Sequence, residues 1–372
     1  MAPRKRRVAI LFGGRSAEHD VSRASAANVL RALDPERYEI TLVGITREGR
    51  WIIADAGNGA GTGAAALVVP EEGPHLTLLP GGQGRALVVE NNAAGAREIP
   101  AFDVLFPVLH GPNAEDGTIQ GALQLSNVAY VGSGVLGSAA SMDKDVAKRL
   151  MRDAGLPIVP FLAMSASSPI RYEDAARIVG SPDLFVKPAN MGSSVGVSKA
   201  RTADEFAAAC KLALGFDRKI LIEQCLPSVR EIECSVLEDA SGSVRASELG
   251  EIVPDSKHGF YSYEAKYIDA DGAILRVPAD VPKALAEQIR ELAVRAFSVL
   301  CCEAMARVDF FLSDDQVFVN EANTIPGFTN ISMYPKLWEA SGLAQSELMN
   351  TLIAHALARH ERLMNLSTDR AV

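Results

Sequence analysis

The chain has 372 residues, of which 48% are hydrophobic and 22% are charged, and its formal net charge is −9. This composition is that of a globular protein long enough for two or three domains. The acidic balance argues against nucleic-acid or membrane partners, because both reward positive patches. The sequence contains no apolar run of about 18 residues, the length that spans a bilayer. The cysteines lack CxxC spacing, which predicts buried thiols in a reducing, cytoplasmic setting.

The N-terminal region alternates strand-like and helix-like segments. Residues 8–12 are an apolar run that ends in two glycines, and residues 22–33 follow with helical spacing. Residues 38–45 and 102–109 are further strand-like runs. This rhythm predicts a doubly wound α/β unit, whose ligands bind at the carboxyl ends of its strands. The Gly- and Ala-rich residues 55–100 are predicted to be a peripheral insertion of loops and short strands.

The second half of the chain has a different pattern. A helix is predicted over residues 144–154, and strands over 184–187 and 220–223, an arrangement typical of an α+β module. Residues 231–322 are predicted to be rich in strands, and residues 334–363 to be helical. The sequence therefore predicts an α/β and α+β multidomain protein.

A loop rich in glycine and serine follows the strand that ends at Lys187. Gly192, Ser193, Ser194 and Gly196 offer backbone N–H groups and hydroxyls that could wrap a phosphate, with the Lys187 ammonium close by. The same string is equally compatible with a polar hairpin turn. It lacks the Gly-Lys-Ser/Thr of a Walker A loop, so a P-loop fold is a poor fit.

Two strand-like segments near residue 315 carry carboxylates at alternate positions. Alternation places Arg307 and Asp309 on one side of the first strand, and Glu321 and Asn323 on one side of the second. A hairpin with a three-residue loop centred on Asp315 would set Asp309 opposite Glu321. A two-residue loop would put the two pairs on opposite faces, so the prediction depends on the turn.

Two carboxylates and a carboxamide on one face predict a magnesium site, because Mg²⁺ prefers hard oxygen ligands. A solvated strand face is the alternative, although opposed carboxylates repel each other unless a cation lies between them. Other polar residues are ambiguous singly. Glu18 could interact with a helix dipole, His110 could be a core residue, and Lys266 and Tyr267 lie in an ordinary amphipathic string.

Taken in order, the motifs resemble the ATP-grasp superfamily and, within it, the D-alanine–D-alanine ligases. The motifs that carry the resemblance lie at residues 13–22, 109–118, 130–137, 141–144, 186–196, 263–267 and 320–327. The resemblance implies an ATP-grasp fold with three parts. These are an N-terminal α/β domain (1–132), a central ATP-grasp subdomain (133–226) and a C-terminal subdomain with the metal site and a lid (227–372).

The resemblance also implies the role of each site residue. The groups expected to bind ATP are Lys144, Lys187, Glu223, Leu226, Glu231 and Lys266. The ligands expected for two Mg²⁺ or Mn²⁺ ions are Asp309, Glu321 and Asn323. The groups expected to bind the amino acids or act in catalysis are Glu18, His110, Ser193, Tyr267, Arg307, Gly327, Ser332 and Met333.

The implied reaction is the ATP-dependent ligation of two D-alanines through a D-alanyl phosphate, with release of ADP and phosphate, for peptidoglycan synthesis. A lid over about residues 253–267 and a homodimer are also expected. A sister ligase that uses D-lactate or D-serine is the nearest alternative, and Tyr267 argues against D-lactate. A silent nucleotide-binding protein and a phosphotransferase are more distant alternatives.

Overall fold

The computed structural model describes residues 4–54, 66–90, 95–254 and 273–367. Within these ranges the chain forms three β-sheets of eight, four and five strands, with helices packed against them. The predicted α/β and α+β class is confirmed, since the first sheet has a parallel core and the other two are antiparallel. No helix in the described ranges is both long and apolar enough to cross a bilayer.

The N-terminal sheet has the strand order β6-β5-β4-β3-β2-β1-β7-β8. Its strands are β1 (Arg6–Gly13), β2 (Tyr38–Ile45), β3 (Trp51–Ala54), β4 (His75–Leu78), β5 (Ala86–Val89), β6 (Ala96–Ile99), β7 (Val104–Val108) and β8 (Ala129–Tyr130). Strands β2, β1, β7 and β8 are parallel, whereas β3 to β6 extend the edge as antiparallel strands. The described part of the predicted insertion is therefore an extension of this sheet.

Helices cover both faces of the N-terminal sheet because β1 is apolar on both sides. Helix α1 (His19–Ala32) packs on the face that contains Val8, Ile10 and Phe12, and α2 (Thr118–Leu125) packs on the face of Ala9 and Leu11. Strand β1 lies between β2 and β7, so the connections leave it in opposite directions. The chain connections after β1 and β7 diverge at the carboxyl ends of these strands, and the crevice between them is where ligands bind in such sheets.

Ser22 joins the two strand ends at this crevice. Its hydroxyl accepts a hydrogen bond from the Gly13 N–H at 2.7 Å and donates one to the Val108 carbonyl. Gly13 has φ of +93°, and a Cβ there would lie 2.4 Å from the Ile45 carbonyl oxygen. Glycine is therefore required at the point where β1 turns toward the site.

The central sheet is antiparallel with the order β11-β10-β12-β9. Its elements are β9 (Phe161–Ser165), α5 (Tyr172–Val179), β10 (Leu184–Pro188), β11 (Ser198–Ala200), α6 (Ala203–Leu214) and β12 (Lys219–Gln224). Helices α3 (Val135–Met142) and α4 (Lys144–Asp153) precede it and connect it to the N-terminal sheet. Helices α5 and α6 bury one face of this sheet, which leaves the opposite face to line a cleft.

The C-terminal sheet has the order β15-β14-β13-β16-β17. Its strands are β13 (Arg230–Glu238), β14 (Val244–Pro254), β15 (Ala273–Arg276), β16 (Met305–Ser313) and β17 (Gln316–Asn323). The prediction that residues 231–322 are mainly strand was incomplete, because α7 (Lys283–Val299) crosses the back of this sheet. Its apolar residues, among them Ile289, Leu292 and Phe297, have helical spacing.

The single helix predicted over residues 334–363 is two helices. Helix α8 (Met333–Ala340) ends before Gly342, which has φ of +84°, and α9 (Gln345–Met364) then begins. Helix α9 packs on the N-terminal sheet, so the chain returns to the domain where it started. The boundaries proposed at residues 132 and 226 remain predictions. The cysteines are free thiols as predicted, but Cys301 is exposed and Cys225 is half-buried instead of buried.

Candidate functional site

A cleft of about 700 Å³ lies between the central and C-terminal sheets. Strands β10 and β12 form one wall, and β13, β16 and β17 form the other. The predicted site residues that line it are Lys144, Lys187, Ser193, Glu223, Leu226, Glu231, Asp309 and Glu321. The structure therefore brings the described nucleotide-binding residues and two of the three predicted metal ligands, Asp309 and Glu321, into one space.

Two lysines point into this cleft from different elements. Lys144 is the first residue of α4, whose N-cap Asp143 accepts hydrogen bonds from the backbone N–H groups of Asp145 and Val146. Its ammonium donates to the Met191 carbonyl at 2.8 Å and lies 3.3 Å from Glu321. Lys187 is the penultimate residue of β10 and is 8% exposed, and its ammonium lies 2.8 Å from the Glu223 carboxylate. Both cations therefore face the cleft where a phosphate chain would lie.

A third lysine lies behind the cleft. Lys148, one turn after Lys144 on α4, is fully buried, and its ammonium lies 3.0 Å from Oε1 of Glu223 and 5.6 Å from the centre of the Phe161 ring. Burial alone would raise the pKa of the Glu223 carboxyl, but the two ammonium groups of Lys148 and Lys187 lower it. Glu223 therefore stays ionised.

The loop after β10 links the cleft to the N-terminal domain. Ser193 and Ser194 both have positive φ, of 54° and 59°, a backbone strain that is found at functional sites. The Ser193 hydroxyl donates a hydrogen bond to Oε1 of Glu18 at 2.5 Å. Gly192 and Gly111 flank the same carboxylate, and a Cβ on either would lie within 3.0 Å of Oε2. Glu18 and Ser193, which the sequence predicted to act together, are therefore in contact.

The hairpin of β16 and β17 has the predicted pairing but a different turn. Asp309 lies opposite Glu321, and Arg307 lies opposite Asn323. The predicted three-residue loop is wrong: Ser313 pairs with Gln316, so the turn holds two residues, Asp314 and Asp315, both with positive φ. This is the arrangement that matches the natural twist of a hairpin.

A β-bulge restores the predicted register. The pairing shifts between Asp309 and Phe310, because Asn320 is an extra residue on β17. Without the bulge, the two-residue turn would place Glu321 on the face away from Asp309. The bulge therefore keeps the polar residues of both strands on the cleft side.

Arg307 holds the polar face together. Its guanidinium donates two hydrogen bonds of 2.7 Å to the Asp309 carboxylate and lies 3.0 Å from Glu233 on the adjacent strand β13. Burial alone would lower the pKa of Arg307, but Asp309 and Glu233 raise it well above its usual range. The group remains a cation beside the predicted metal ligands.

The donor set fits a divalent cation. Asp309, Glu321 and Asn323 supply carboxylate and amide oxygens on one face, and the Asn323 amide donates to Asp309 at 2.9 Å. Arg307 and Lys144 neutralise the two carboxylates. Over the part of the chain that the structure describes, no three His, Cys, Asp or Glu side chains converge as a metal cage. A metal ion held by these side chains would therefore need oxygens from the substrate to complete its coordination shell.

His110 connects β7 to the segment after β17. The ring is buried, its Nδ1 lies 3.0 Å from the Ile325 carbonyl, and its Nε2 lies 3.4 Å from the Ser25 hydroxyl. Ser25 in turn accepts a hydrogen bond from the Phe328 N–H at 3.1 Å. Burial lowers the pKa of His110, so the ring is neutral and Nδ1 donates to the carbonyl. It both anchors this segment and lies beside Glu18.

The segment that holds the predicted second-substrate residues is compact. A Cβ on Gly327 would lie 2.7 Å from the Ser332 hydroxyl, so only glycine fits against it. The Ser332 hydroxyl accepts from the Thr329 N–H at 2.9 Å, and Ser332 is the N-cap residue of α8. The Met333 side chain packs in the core, so Met333 can contact a ligand through its backbone N–H alone.

Glu115 was not predicted and is enclosed next to Glu18. Its carboxylate accepts a hydrogen bond from the Gly111 N–H at 2.8 Å. Burial and the negative charge of Glu18 raise the pKa of Glu115 to about 8, against the opposing effect of the Gly111 N–H. A carboxyl that titrates near neutral pH therefore lies beside the predicted amino-acid pocket.

Lys266, Tyr267 and most of the predicted lid lie outside the described residues. Their roles remain predictions.

Comparison with known proteins shows the family of the chain. Residues 7–133 match the model of the family described as D-ala D-ala ligase N-terminus, and residues 150–354 match that of the D-ala D-ala ligase C-terminus. The chain belongs to the D-alanine–D-alanine ligase family. It is 67% identical over 370 residues to a D-alanine–D-alanine ligase of Bradyrhizobium sp., with 100% of both chains covered.

Solved structures of the family have the same fold. The D-alanine–D-alanine ligase of Coxiella burnetii has a TM-score of 0.82 and 34% identity, with 97% of each chain covered. The VanG D-Ala:D-Ser ligase of Enterococcus faecalis has a TM-score of 0.80 and 30% identity, with 95% of this chain and 100% of that chain covered. The predicted ATP-grasp fold is confirmed, and membership of this ligase family makes the chain an ATP-using enzyme.

Sequence reasoning missed three charged residues of the site: Lys148, Glu233 and Glu115. Lys148 lies four positions after Lys144 and so on the same side of α4, a spacing that was available in the sequence. Glu233 lies two positions after Glu231 and so on the same face of β13. Nothing local distinguished Glu115, because its environment depends on Glu18 from a distant part of the chain.

Proposed function

We propose that this chain joins two D-alanine molecules at the expense of ATP, through a D-alanyl phosphate. The observation that carries the proposal is the continuity of the site. Lys144 donates to the loop carbonyl of Met191, and two residues later Ser193 of the same loop donates to Glu18. A phosphate held by Lys144 would therefore lie next to an amino acid held by Glu18.

The first step requires the D-alanine carboxylate to attack the γ-phosphate of ATP. Glu18 would hold the ammonium of that D-alanine, with Ser193 fixing the position of the Glu18 carboxylate. Lys144, which lies 3.3 Å from the predicted metal ligand Glu321, would stabilise charge on the transferred phosphoryl group, and Lys187 would stabilise the phosphate chain nearer to Glu223. Catalysis of this kind is mainly positioning and electrostatics.

Metal ions complete the proposed charge balance. Asp309, Glu321 and Asn323 would hold two Mg²⁺ or Mn²⁺ ions, which supply positive charge against the β- and γ-phosphates when bound. The structure supports this assignment through the oxygen donors that the bulged hairpin presents on one face.

The second step requires the amine of another D-alanine to attack the acyl phosphate. The C–N bond forms as the carbonyl carbon becomes tetrahedral, and inorganic phosphate then leaves with the C–O electron pair. Arg307 and the Gly327 N–H would stabilise the oxyanion, and the segment of Ser332 and Met333 would hold the carboxylate of the second D-alanine. An acyl phosphate hydrolyses in water, so a closed lid is part of the proposal.

The proposed product is a peptidoglycan precursor, made in the cytoplasm. The free thiols of the chain support a reducing compartment. We also propose a homodimer without nucleic-acid or membrane partners. Leu125 at the end of α2 and Leu136 at the start of α3 are 75% and 67% exposed, and such apolar exposure supports an interface.

The decisive experiment measures ADP release with ATP, Mg²⁺ and D-alanine and identifies the product by mass. We expect D-alanyl-D-alanine from D-alanine and no ADP release with L-alanine. A mixed product from D-alanine plus D-serine or D-lactate, without turnover of D-alanine alone, would overturn the assignment in favour of a sister ligase. D-serine is the first alternative second substrate to test, because one of the similar solved structures is a D-Ala:D-Ser ligase.

A further inference from the structure

A buried chain of three charges lies beside the cleft at Glu223, a residue that the family resemblance implies to bind ATP. Glu223 is 4% exposed and lies between two ammonium groups, with Oε1 at 3.0 Å from Lys148 and Oε2 at 2.8 Å from Lys187. Lys187 and Glu223 line the cleft, whereas Lys148 lies behind it with no exposed surface. Lys148 therefore has no surface with which to contact a nucleotide in the cleft, and its ion-pair partner Glu223 is the group that connects it to the cleft.

The geometry determines what Glu223 can bind. A carboxylate with a cation at each oxygen cannot rotate without losing one of them, and it carries no proton to donate. It accepts hydrogen bonds only. A purine with a 6-amino group offers a hydrogen-bond donor to such an acceptor. A purine with a 6-oxo group offers a second acceptor instead, so the Glu223 carboxylate and the 6-oxo oxygen would both be desolvated without a hydrogen-bond partner.

We propose that Lys148 is a positioning residue that sets the specificity of this pocket for a 6-amino purine, by holding Glu223 as a fixed, unprotonated acceptor. This inference rests on the proposed use of ATP and adds a determinant to it. Without Lys148, the buried carboxylate would keep a single cation, Lys187. It would then either turn fully to Lys187, away from the purine, or take up a proton and become able to donate to a 6-oxo group.

Phe161 completes the environment of Lys148. The ring lies 5.6 Å from the ammonium and 5.7 Å from the guanidinium of Arg152, so its face is shared by two cations. Burial lowers the pKa of Lys148, and the negative charge of Glu223 opposes that shift. Glu223 is therefore the charge that does most to favour the protonated form of Lys148.

The test compares ATP with inosine triphosphate, which differs by the 6-oxo group. The ratio of kcat/KM for the two nucleotides is measured by phosphate release with D-alanine in the wild type, Lys148→Met and Glu223→Gln. We expect Lys148→Met to lower the preference for ATP by about tenfold or more, mainly through KM for ATP. The control is Arg149→Met, which removes an exposed cation from the next position of α4. It should leave the preference unchanged.

The double variant Lys148→Met/Glu223→Gln shows whether Lys148 acts through Glu223. We expect its preference to equal that of Glu223→Gln alone, because the two residues form one unit. Additive effects, or a preference in Lys148→Met equal to that in Arg149→Met, would overturn the inference. If Lys148→Met does not fold, Lys148→Gln replaces it, since it keeps a donor near Glu223 but removes the charge.

Calorimetric binding of ATP and inosine triphosphate, without amino acid, separates this inference from the proposed reaction. A ligase assay that shows no turnover of D-alanine would contradict the proposed function and leave the binding preference measurable. Equal affinities for the two nucleotides in the wild type would overturn the role of Lys148 even in an active ligase.

Discussion

At the scale of single residues, the site is organised by shared charges. Arg307 lies between Asp309 and Glu233, and Glu223 lies between Lys187 and Lys148. Arg307 and Glu223 each have two partners of opposite charge, so losing one partner does not leave either of these central groups unpaired. Substitutions here should therefore separate chemistry from folding.

The first prediction concerns Lys187. We expect Lys187→Ala to lower kcat/KM for ATP by about a hundredfold or more, because it removes a cation that faces the phosphate chain of the nucleotide. Its thermal midpoint should change little, since Glu223 keeps Lys148 as a partner. Phosphate release and a thermal melt measure the two effects.

The matched control is Lys199→Ala. Lys199 also lines the cleft, but its ammonium lies 3.5 Å from Asp183, the residue just before the neighbouring strand β10. Near-normal ATP use by Lys187→Ala, or an equal loss in Lys199→Ala, would show that Lys187 has no special role.

The second prediction concerns Glu115, whose pKa is raised from 4.5 to about 8. Between these values the native state keeps a proton that the unfolded chain has lost, so the free energy of unfolding falls as pH rises. The slope from this group is at most about 1.4 kcal/mol per pH unit. Glu115→Gln should remove this loss and make the protein more stable than the wild type at pH 8, with little difference at pH 4.5.

Chemical denaturation of both proteins across this pH range is the measurement. The exposed carboxylate of Glu248, changed to Gln in the same way, is the control. Parallel stability curves for the wild type and Glu115→Gln would contradict the raised pKa.

At the scale of elements, the hairpin of β16 and β17 shows two irregular features that compensate each other. With a two-residue turn alone, Glu321 would lie on the opposite side of the sheet from Asp309. The bulge at Asn320 shifts the pairing by one residue and returns Glu321 to the side of Asp309. The pairing of Asp309 with Glu321 was correctly predicted, whereas the turn was not. Both a longer loop and a bulge add one residue to the hairpin, and residue spacing alone does not show where it is added.

The third prediction concerns the turn. Asp315 has φ of 62°, which glycine adopts without strain and a β-branched residue does not. Asp315→Gly should raise the free energy of unfolding by up to about 1 kcal/mol. Asp315→Val should lower it by about 1–2 kcal/mol. Urea denaturation measures both, and equal stability of the two variants would contradict the turn geometry.

At the scale of the whole molecule, the last helix joins distant parts of the chain. Arg359 of α9 is 4% exposed, donates to the carbonyls of Tyr130 and Gly132, and lies 3.3 Å from Glu303 near the start of β16. Its guanidinium also stacks 4.3 Å above the Tyr130 ring. One side chain therefore connects α9, the edge of the N-terminal sheet and the C-terminal sheet.

The fourth prediction tests this connection. Arg359→Met should lower the free energy of unfolding by about 2–4 kcal/mol, because two buried carbonyls lose a charged donor. Arg359→Lys should recover little of the loss, since an ammonium cannot reproduce the planar fork. Denaturation followed by circular dichroism and by the fluorescence of Trp51 and Trp338 is the measurement. Full recovery by lysine would show that charge alone matters.

Much of this protein was determined by local patterns in the sequence. The apolar run of residues 8–12 is strand β1, and the alternation of Arg307 with Asp309 did place both on one face. Hydrophobic runs and alternation are properties of neighbouring residues, so the local structure that they predict does not depend on how the sheets pack together. The α/β class of the first half and the α+β class of the second half followed from such patterns, whereas the family and most of the cleft residues followed from the resemblance of the ordered motifs to a known family.

Only the tertiary structure decided which of these groups meet. Glu18 and Ser193 are 175 positions apart, and Tyr130 and Arg359 are 229 apart. Lys148 and Glu223 meet only because α4, whose Ala147 and Met151 pack in the core of the C-terminal sheet, also reaches strand β12 of the central sheet. The same is true of the environment that raises the pKa of Glu115. Burial and long-range charge depend on how three sheets pack together, and no local run of residues contains that information.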